Sequence, residues 1–283
     1  MTIILYLLVI VFLLAFPAET AGAALRAMRV WATSIVPTLF PYMVFGRLLG
    51  KSLHMLNLPA TPAAAALGML GGSPTGAALI AAYASRLDNR NLFSLCALTG
   101  TLSPMFILGT IRTWTNSKFL CTRLLLCHWI SAVLSAWIVW IAYGKSKYRS
   151  QHPDNSAHQA WGNPLSQSID AIIQVGGCVI LYSVLAQIGG LLLRPILPQL
   201  QPVFHAALEV AGGINTIWQN DLPAKDILIC IALGFSGLSI LAQNHAMLKP
   251  LGIRMHQLVG FALLRACLSC LLFPLTSFLV SIS

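Results

Sequence analysis

The chain of 283 residues is 57% hydrophobic and 8% charged, with a formal net charge of +10. An ordinary globular protein carries about 25% charged residues, so this composition excludes a soluble particle of this size and any sizeable soluble catalytic domain. It predicts an all-α, polytopic membrane protein. The basic residues stand singly or in short groups at the ends of apolar runs, where they anchor helices and set topology. They form no nucleic-acid surface.

A hydrocarbon core of about 30 Å needs roughly 20 apolar residues per helix. The first apolar run, 2–18, is followed by Ala21-Gly22-Ala23, which resembles a signal-peptidase site. No Lys or Arg precedes the run, as a signal peptide requires, so residues 1–24 are expected to stay as an N-terminal transmembrane helix. Segment 30–50 is interrupted by Pro37 and Pro41, and 60–86 by Gly71-Gly72-Ser73-Pro74-Thr75-Gly76. Segment 92–112 is interrupted from Gly100 to Pro104, and 119–144 runs unbroken. A polar loop, 145–167, occupies the midpoint. Beyond it come the unbroken 168–194, then 202–220 with its expected break at Gly212-Gly213. Next is 226–248, broken at Gly234-Phe235-Ser236-Gly237, and last the unbroken 256–282. With a cytoplasmic N-terminus, nine basic residues fall inside and seven outside, a weak bias toward a cytoplasmic midpoint loop.

The punctuation repeats on either side of the loop. Each half has a spanning segment, a short Gly-broken segment, a second broken segment and a long unbroken helix. If the Gly-broken segments are re-entrant hairpins, each half crosses three times and the second half lies upside down. The expected organisation is therefore a first inverted repeat over 25–144 and a second over 168–283. Broken backbone at membrane depth is tolerated only where protein or a watery cavity satisfies it, and such breaks hold the binding sites of inverted-repeat transporters.

Ionisable groups at membrane depth are functional candidates by default. Glu209 either pairs with Arg265 inside the bundle or faces the cavity as a ligand-binding or proton-carrying carboxylate. Arg265 either answers Glu209 or forks onto a substrate carboxylate. Gln243 and Asn244 follow the second-half break and can hydrogen-bond a polar solute, and Ser236 and Ser239 line it. In the first half Ser73, Thr75, Thr99, Thr101 and Ser103 take the corresponding part. Asp170 reads as a helix N-cap. The seven cysteines read as small apolar packers, and Cys267-x-x-Cys270 has no neighbouring His or second pair to make a metal or redox site. No nucleophile–base set, metal cluster or nucleotide loop is present, so no enzyme and no metal site are expected.

Gly71-Gly-Ser-Pro-Thr-Gly-Ala77 followed by Ser103-Pro-Met-Phe-Ile-Leu-Gly-Thr110 resembles the paired signatures of the nucleoside-recognition (Gate) domain membrane proteins, of the sporulation integral membrane (YlbJ) type. Leu208-Glu-Val-Ala-Gly-Gly213, Phe235-Ser-Gly-Leu-Ser-Ile-Leu-Ala-Gln243 and Val36-Pro-Thr-Leu-Phe-Pro41 carry the same resemblance, which covers about residues 30–275. The resemblance implies a fold similar to concentrative nucleoside transporters, with two inverted units of hairpin plus broken helix. In the sporulation branch it implies export of dipicolinic acid. It also implies that Glu209, Gln243 and the turns at Ser73-Pro74-Thr75 and Ser103-Pro104 are site residues. The family carries an Asn pair ahead of its Pro-Phe motif, and this chain reads Gly100-Thr101-Leu102 there, so its first-half polar contacts differ.

The expected function is alternating-access transport of a small polar solute, an organic anion such as a dipicolinate-like dicarboxylate. A nucleoside transporter is one alternative, and a non-transporting component that gates or scaffolds a partner complex is another. No cofactor is expected beyond a coupling ion, Na⁺ or H⁺. The expected partners are the solute and the lipid bilayer, with a homo-oligomer by family analogy and no nucleic acid.

Overall fold

Backbone in hydrocarbon must satisfy its own hydrogen bonds, which leaves helix as the default for an apolar chain. The computed structural model describes residues 2–56, 58–144 and 162–280, and among them every regular element is helical. Residues 145–161 of the polar midpoint loop lie outside the described residues.

α1 (Thr2–Ala15) stops at Phe16, and Pro17, which lacks an N–H, starts α2 (Pro17–Val30) at a position where none is needed. The first helix therefore ends nine residues short of the expected boundary at 24. α2 passes through a π-helical turn, Trp31–Ile35, into α3 (Val36–Met55), giving one 39-residue helical run. Pro37 and Pro41 thus do not interrupt segment 30–50. Pro37 sits in the first turn of α3, and the wider π turn ahead of it absorbs the missing N–H and the ring.

α4 (Ala60–Gly71) and α5 (Thr75–Tyr83) follow, then α6 (Asn89–Thr99), whose N-terminus is capped by Asp88 accepting from the Asn91 amide at 2.7 Å. After residues 100–103 the helix resumes at Pro104 through a second π turn, Phe106–Ile111, into α7 (Arg112–Thr115). Asn116, with φ of 50°, ends it, and Ser117 caps α8 (Lys118–Ala142).

The second half opens with α9 (Pro164–Leu193), capped by Asn163, whose Oδ1 accepts from the Leu165 and Ser166 amides. Asp170 is therefore not the cap; it lies inside α9 on an exposed face. α10 (Gln201–Leu208), α11 (Val210–Gln219), α12 (Lys225–Phe235), α13 (Gly237–Leu248) and α14 (Met255–Val280) complete the chain. The break between α10 and α11 falls at Glu209, in extended conformation, and not at Gly212-Gly213, which lie within α11.

Five described stretches are long and apolar enough to cross a membrane: Pro17–Met55, Lys118–Ala142, Pro164–Leu193, Lys225–Leu251 and Met255–Thr276. Two apolar cores hold them together. One gathers Met43, Ile107, Leu124 and Ile214 around α3, α8, α9 and α11. The other gathers Ile80, Leu95, Leu241 and Phe261 around α4–α6, α13 and α14. Leu14, Trp137, Ile173 and Leu271 point outward and exposed, the surface expected of helices solvated by lipid.

Candidate functional site

The breaks in each half lie across one another. In the first half Gly72 has φ of +64°, and a Cβ on it would stand 2.8 Å from both the Leu102 carbonyl carbon and Ser103 Cα. Only glycine lets the two backbones approach so closely. The Ser73 amide donates to the Thr101 carbonyl at 2.7 Å and its hydroxyl to the Thr99 carbonyl at 3.4 Å. His128 Nε2 accepts from the Leu102 amide at 3.2 Å, which satisfies a donor that no helix serves. In the second half Ser236 and Gly237 both have positive φ, 69° and 77°, and Gly237 packs on the α10–α11 break near the Val210 amide.

Each break leaves one helix end that needs a cation and one that needs an anion or acceptor. The two buried charges meet these needs. Glu209 caps α11: its Oε1 accepts from the Ala211 amide at 2.9 Å and its Oε2 from the Gly212 amide at 2.6 Å. Arg265, on α14 and 1% exposed, donates to the carbonyls of Ala97 (2.9 Å), Gly100 (2.8 Å) and Gly234 (3.2 Å). It thereby caps the C-terminal ends of α6 and α12 together. Of the two readings of Glu209, the pair with Arg265 is not formed and the carboxylate lines the cavity, because each charge is matched by helix ends instead of by the other.

The halves are joined at the same level. Ser236 Oγ donates to the Gly100 carbonyl at 3.1 Å, and Asn244 Nδ2 donates to Ser73 Oγ at 3.0 Å. A cavity of about 50 Å³ lies where the crossings meet, room for a few water molecules. Its polar lining is Ser73, Ser103, Glu209, Ser239 and Gln243, together with Thr38, and its apolar walls include Leu39, Phe106 and Val175. Ser239 Oγ and Gln243 Nε2 are buried and make no hydrogen bond to protein.

Five of the sequence-predicted residues therefore share one cavity. The others serve its frame. Pro74 and Thr75 open α5, Thr101 offers its carbonyl to Ser73, Ser236 forms the left-handed joint, and Asn244 and Arg265 line a smaller void of about 10 Å³ beside Gly100. Sequence reasoning did not assign Thr38, Val175 or His128 to the site. Thr38 lies in the Pro37-Thr-Leu-Phe-Pro41 motif, which is the signal that could have found it. Nothing in the sequence marks Val175 or the amide that His128 accepts.

The chain is similar to the "Sporulation integral membrane protein YlbJ" of Bacillus subtilis (strain 168), with 24% identity over 301 aligned positions covering 84% of this chain and 72% of the relative. An integral-membrane relative and five stretches able to span a bilayer agree. This is a multi-pass membrane protein. No family model matches the chain, and no solved structure does.

Proposed function

We propose that the protein is a transporter that carries a small organic anion, of the dipicolinate-like dicarboxylate class, by alternating access between two inverted repeats. The observation that carries this reading is the set of helix ends around the central cavity. Ser73 precedes α5, Ser103 precedes the helix that resumes at Pro104, Glu209 precedes α11, and Ser239 lies in the first turn of α13. All four half-helices that follow a break start at this cavity; the positive end of α11 is answered by Glu209 itself, and those of the other three favour an anion. Arg265 is committed to three carbonyls, so the dipoles, with Ser239 and Gln243 as free polar groups, are the anion-binding element.

Helix length supports the repeat. α4, α5, α10 and α11 have 12, 9, 8 and 10 residues, or about 12–18 Å of rise each. None spans a core of about 30 Å alone, and in each pair the second helix folds back on the first, with Gly76 against Gly68 and Gly213 against the Ala206 backbone, the packing of a hairpin. Each half then crosses an odd number of times, and the second is inverted. A cavity of a few waters is too small for a dicarboxylate, so the two repeats must part to admit one. The relative's name links it to sporulation, and the same setting fits export of a spore solute. This reading assigns the protein no catalytic step.

A thermal-shift panel of nucleosides, pyridine-2,6-dicarboxylate, other dicarboxylates and amino acids tests it. A ligand at 100 times its dissociation constant stabilises by about 2.7 kcal/mol. Stabilisation by a dicarboxylate, lost in Gln243→Leu, is the expected result. Selective stabilisation by nucleosides would move the protein to the neutral-solute class, which Glu209 and Gln243 also suit. Silence across the panel, with function abolished by lipid-face substitutions, would favour a scaffold for a partner complex.

A further inference from the structure

A second cavity, of about 170 Å³, lies between α2, α9, α10 and α11. Its polar lining is Arg26, Ser183, His205, Asn215, Thr216 and Gln219. Among the described residues, Glu209 is the one side chain that lines both this outer cavity and the central one. The carboxylate is thus the wall between them.

His205 sits one turn before Glu209, at the end of α10. Its Nε2 is buried and makes no hydrogen bond, although an imidazole nitrogen always offers a donor or an acceptor. Gly212 keeps the intervening space clear: a Cβ there would stand 2.9 Å from Glu209 Oε2 and 3.5 Å from His205 Nε2. The amides of Ala211 and Gly212 occupy one acceptor position on each carboxylate oxygen. Oε2 keeps a second lone pair for the side that His205 faces.

From this geometry we infer that His205 and Glu209 form a proton relay from the outer cavity, making the transport of an anionic solute proton-coupled. The inference rests on the transport reading above. A protonated His205 gives up the Nε2 proton to one bridging water above Gly212, its N–H electron pair stays on nitrogen, and that water passes one of its own protons on, so that an O–H bond forms on Glu209 Oε2. Water in the outer cavity then reprotonates the neutral imidazole, so one proton is taken up and no redox partner is needed. A neutral Glu209 tolerates a carboxylate in the central cavity, whereas an ionised one repels it. Proton and anion therefore load together.

The surroundings select a proton over a metal cation. The charged or titratable groups lining the two cavities are Arg26 from α2, His205 from α10 and Glu209 itself. α9 contributes Ser183, α11 contributes Asn215, Thr216 and Gln219, and α13 contributes Ser239 and Gln243, none of which titrates. A Na⁺ ion entering the outer cavity would pass the Arg26 guanidinium and find a single carboxylate already accepting two amides. A proton needs no coordination shell.

Two measurements on the full-length protein in liposomes test the relay. The first needs no solute: time-resolved infrared spectroscopy after a jump between about pH 8 and 5, the range in which histidine titrates. The expected signal is a protonated-carboxyl band that is absent in Glu209→Gln, and whose appearance slows about 100-fold or more in His205→Gln and measurably in Gly212→Ala. An unchanged rate in both variants, or no Glu209-dependent band in wild type, overturns the relay. The second measurement follows pyridine-2,6-dicarboxylate. The wild type accumulates it down an imposed proton gradient, while His205→Gln keeps gradient-free counterflow and loses the accumulation. Accumulation driven by Na⁺ and indifferent to pH overturns the coupling. Absence of counterflow in wild type with the infrared result intact removes the dicarboxylate transport reading and leaves the proton path standing.

Discussion

The capping role of Arg265 predicts a specific pattern of energies in a double-mutant cycle with Glu209. Replacing Arg265 by Met keeps most of the volume but removes the donors to the Ala97, Gly100 and Gly234 carbonyls. The Gly100 carbonyl keeps Ser236 Oγ at 3.1 Å, so two buried acceptors lose their side-chain donor. Each orphaned acceptor costs about 1–3 kcal/mol, and relief from burying a guanidinium offsets part of that. The net loss is about 2–4 kcal/mol, a fall on the order of 10 °C in melting temperature. Glu209→Gln weakens one helix cap and costs about 1 kcal/mol. The two side chains share no hydrogen-bond partner and line different cavities, so their effects should add to within about 0.5 kcal/mol. Denaturant unfolding in micelles, followed by tryptophan fluorescence, measures all four corners. If the charges were instead paired, either single substitution would cost about 3–5 kcal/mol and the second would add little. A coupling energy above about 1.5 kcal/mol would refute the separate-cap account.

Three further substitutions probe the crossings and the cavity. Gly72→Ala forces Ala into a positive-φ, extended-ψ conformation that essentially only glycine adopts, worth about 1–3 kcal/mol, and drives its methyl into the Leu102–Ser103 backbone; size-exclusion profiles should show loss of folded protein. Gln243→Leu removes an amide donor whose neighbour in the protein is the weakly accepting Cys178 thiol, so melting temperature should nearly hold while the solute-induced thermal shift disappears. Ser236→Gly relieves a left-handed residue by about 1 kcal/mol and gives up a hydrogen bond of similar worth. Its melting temperature should therefore stay near wild type, whereas Ser236→Val should fall.

What the sequence disclosed follows from which physical causes leave a residue signature. The breaks at 72–74, 100–103 and 236–237 were legible because positive φ and close backbone approach demand Gly, and Pro ends helices. The break at Glu209 was displaced to Gly212-Gly213 because a side-chain cap in extended backbone needs neither Gly nor Pro. Those glycines act differently: Gly213 lets α11 pack on the Ala206 backbone, and Gly212 leaves room beside the carboxylate. Pro37 misled in the opposite direction, since a π turn accommodates it without ending the helix. Five cavity residues were recognisable as polar groups near breaks. The partners of Arg265 were not, because backbone carbonyls carry no letter in a sequence. A single histidine in an apolar run, such as His205, reads as a packed or interfacial one, and its bare Nε2 shows only in the fold.

The same geometry explains why two opposite charges buried in one small bundle need not be each other's counter-ion. A pair that balances itself locks both members, since neutralising one strands the other in low dielectric. Here Glu209 is answered by the first amides of α11, and Arg265 by carbonyls that end α6 and α12. Those helix ends keep their polarity whatever the charge on the opposite residue. Glu209 can therefore gain or lose a proton while Arg265 stays fully bonded and the frame of both broken helices holds. On the proposed relay, the residue that changes charge sits on amides that remain in place when it is neutralised, while the guanidinium stays on the carbonyls that fix the breaks.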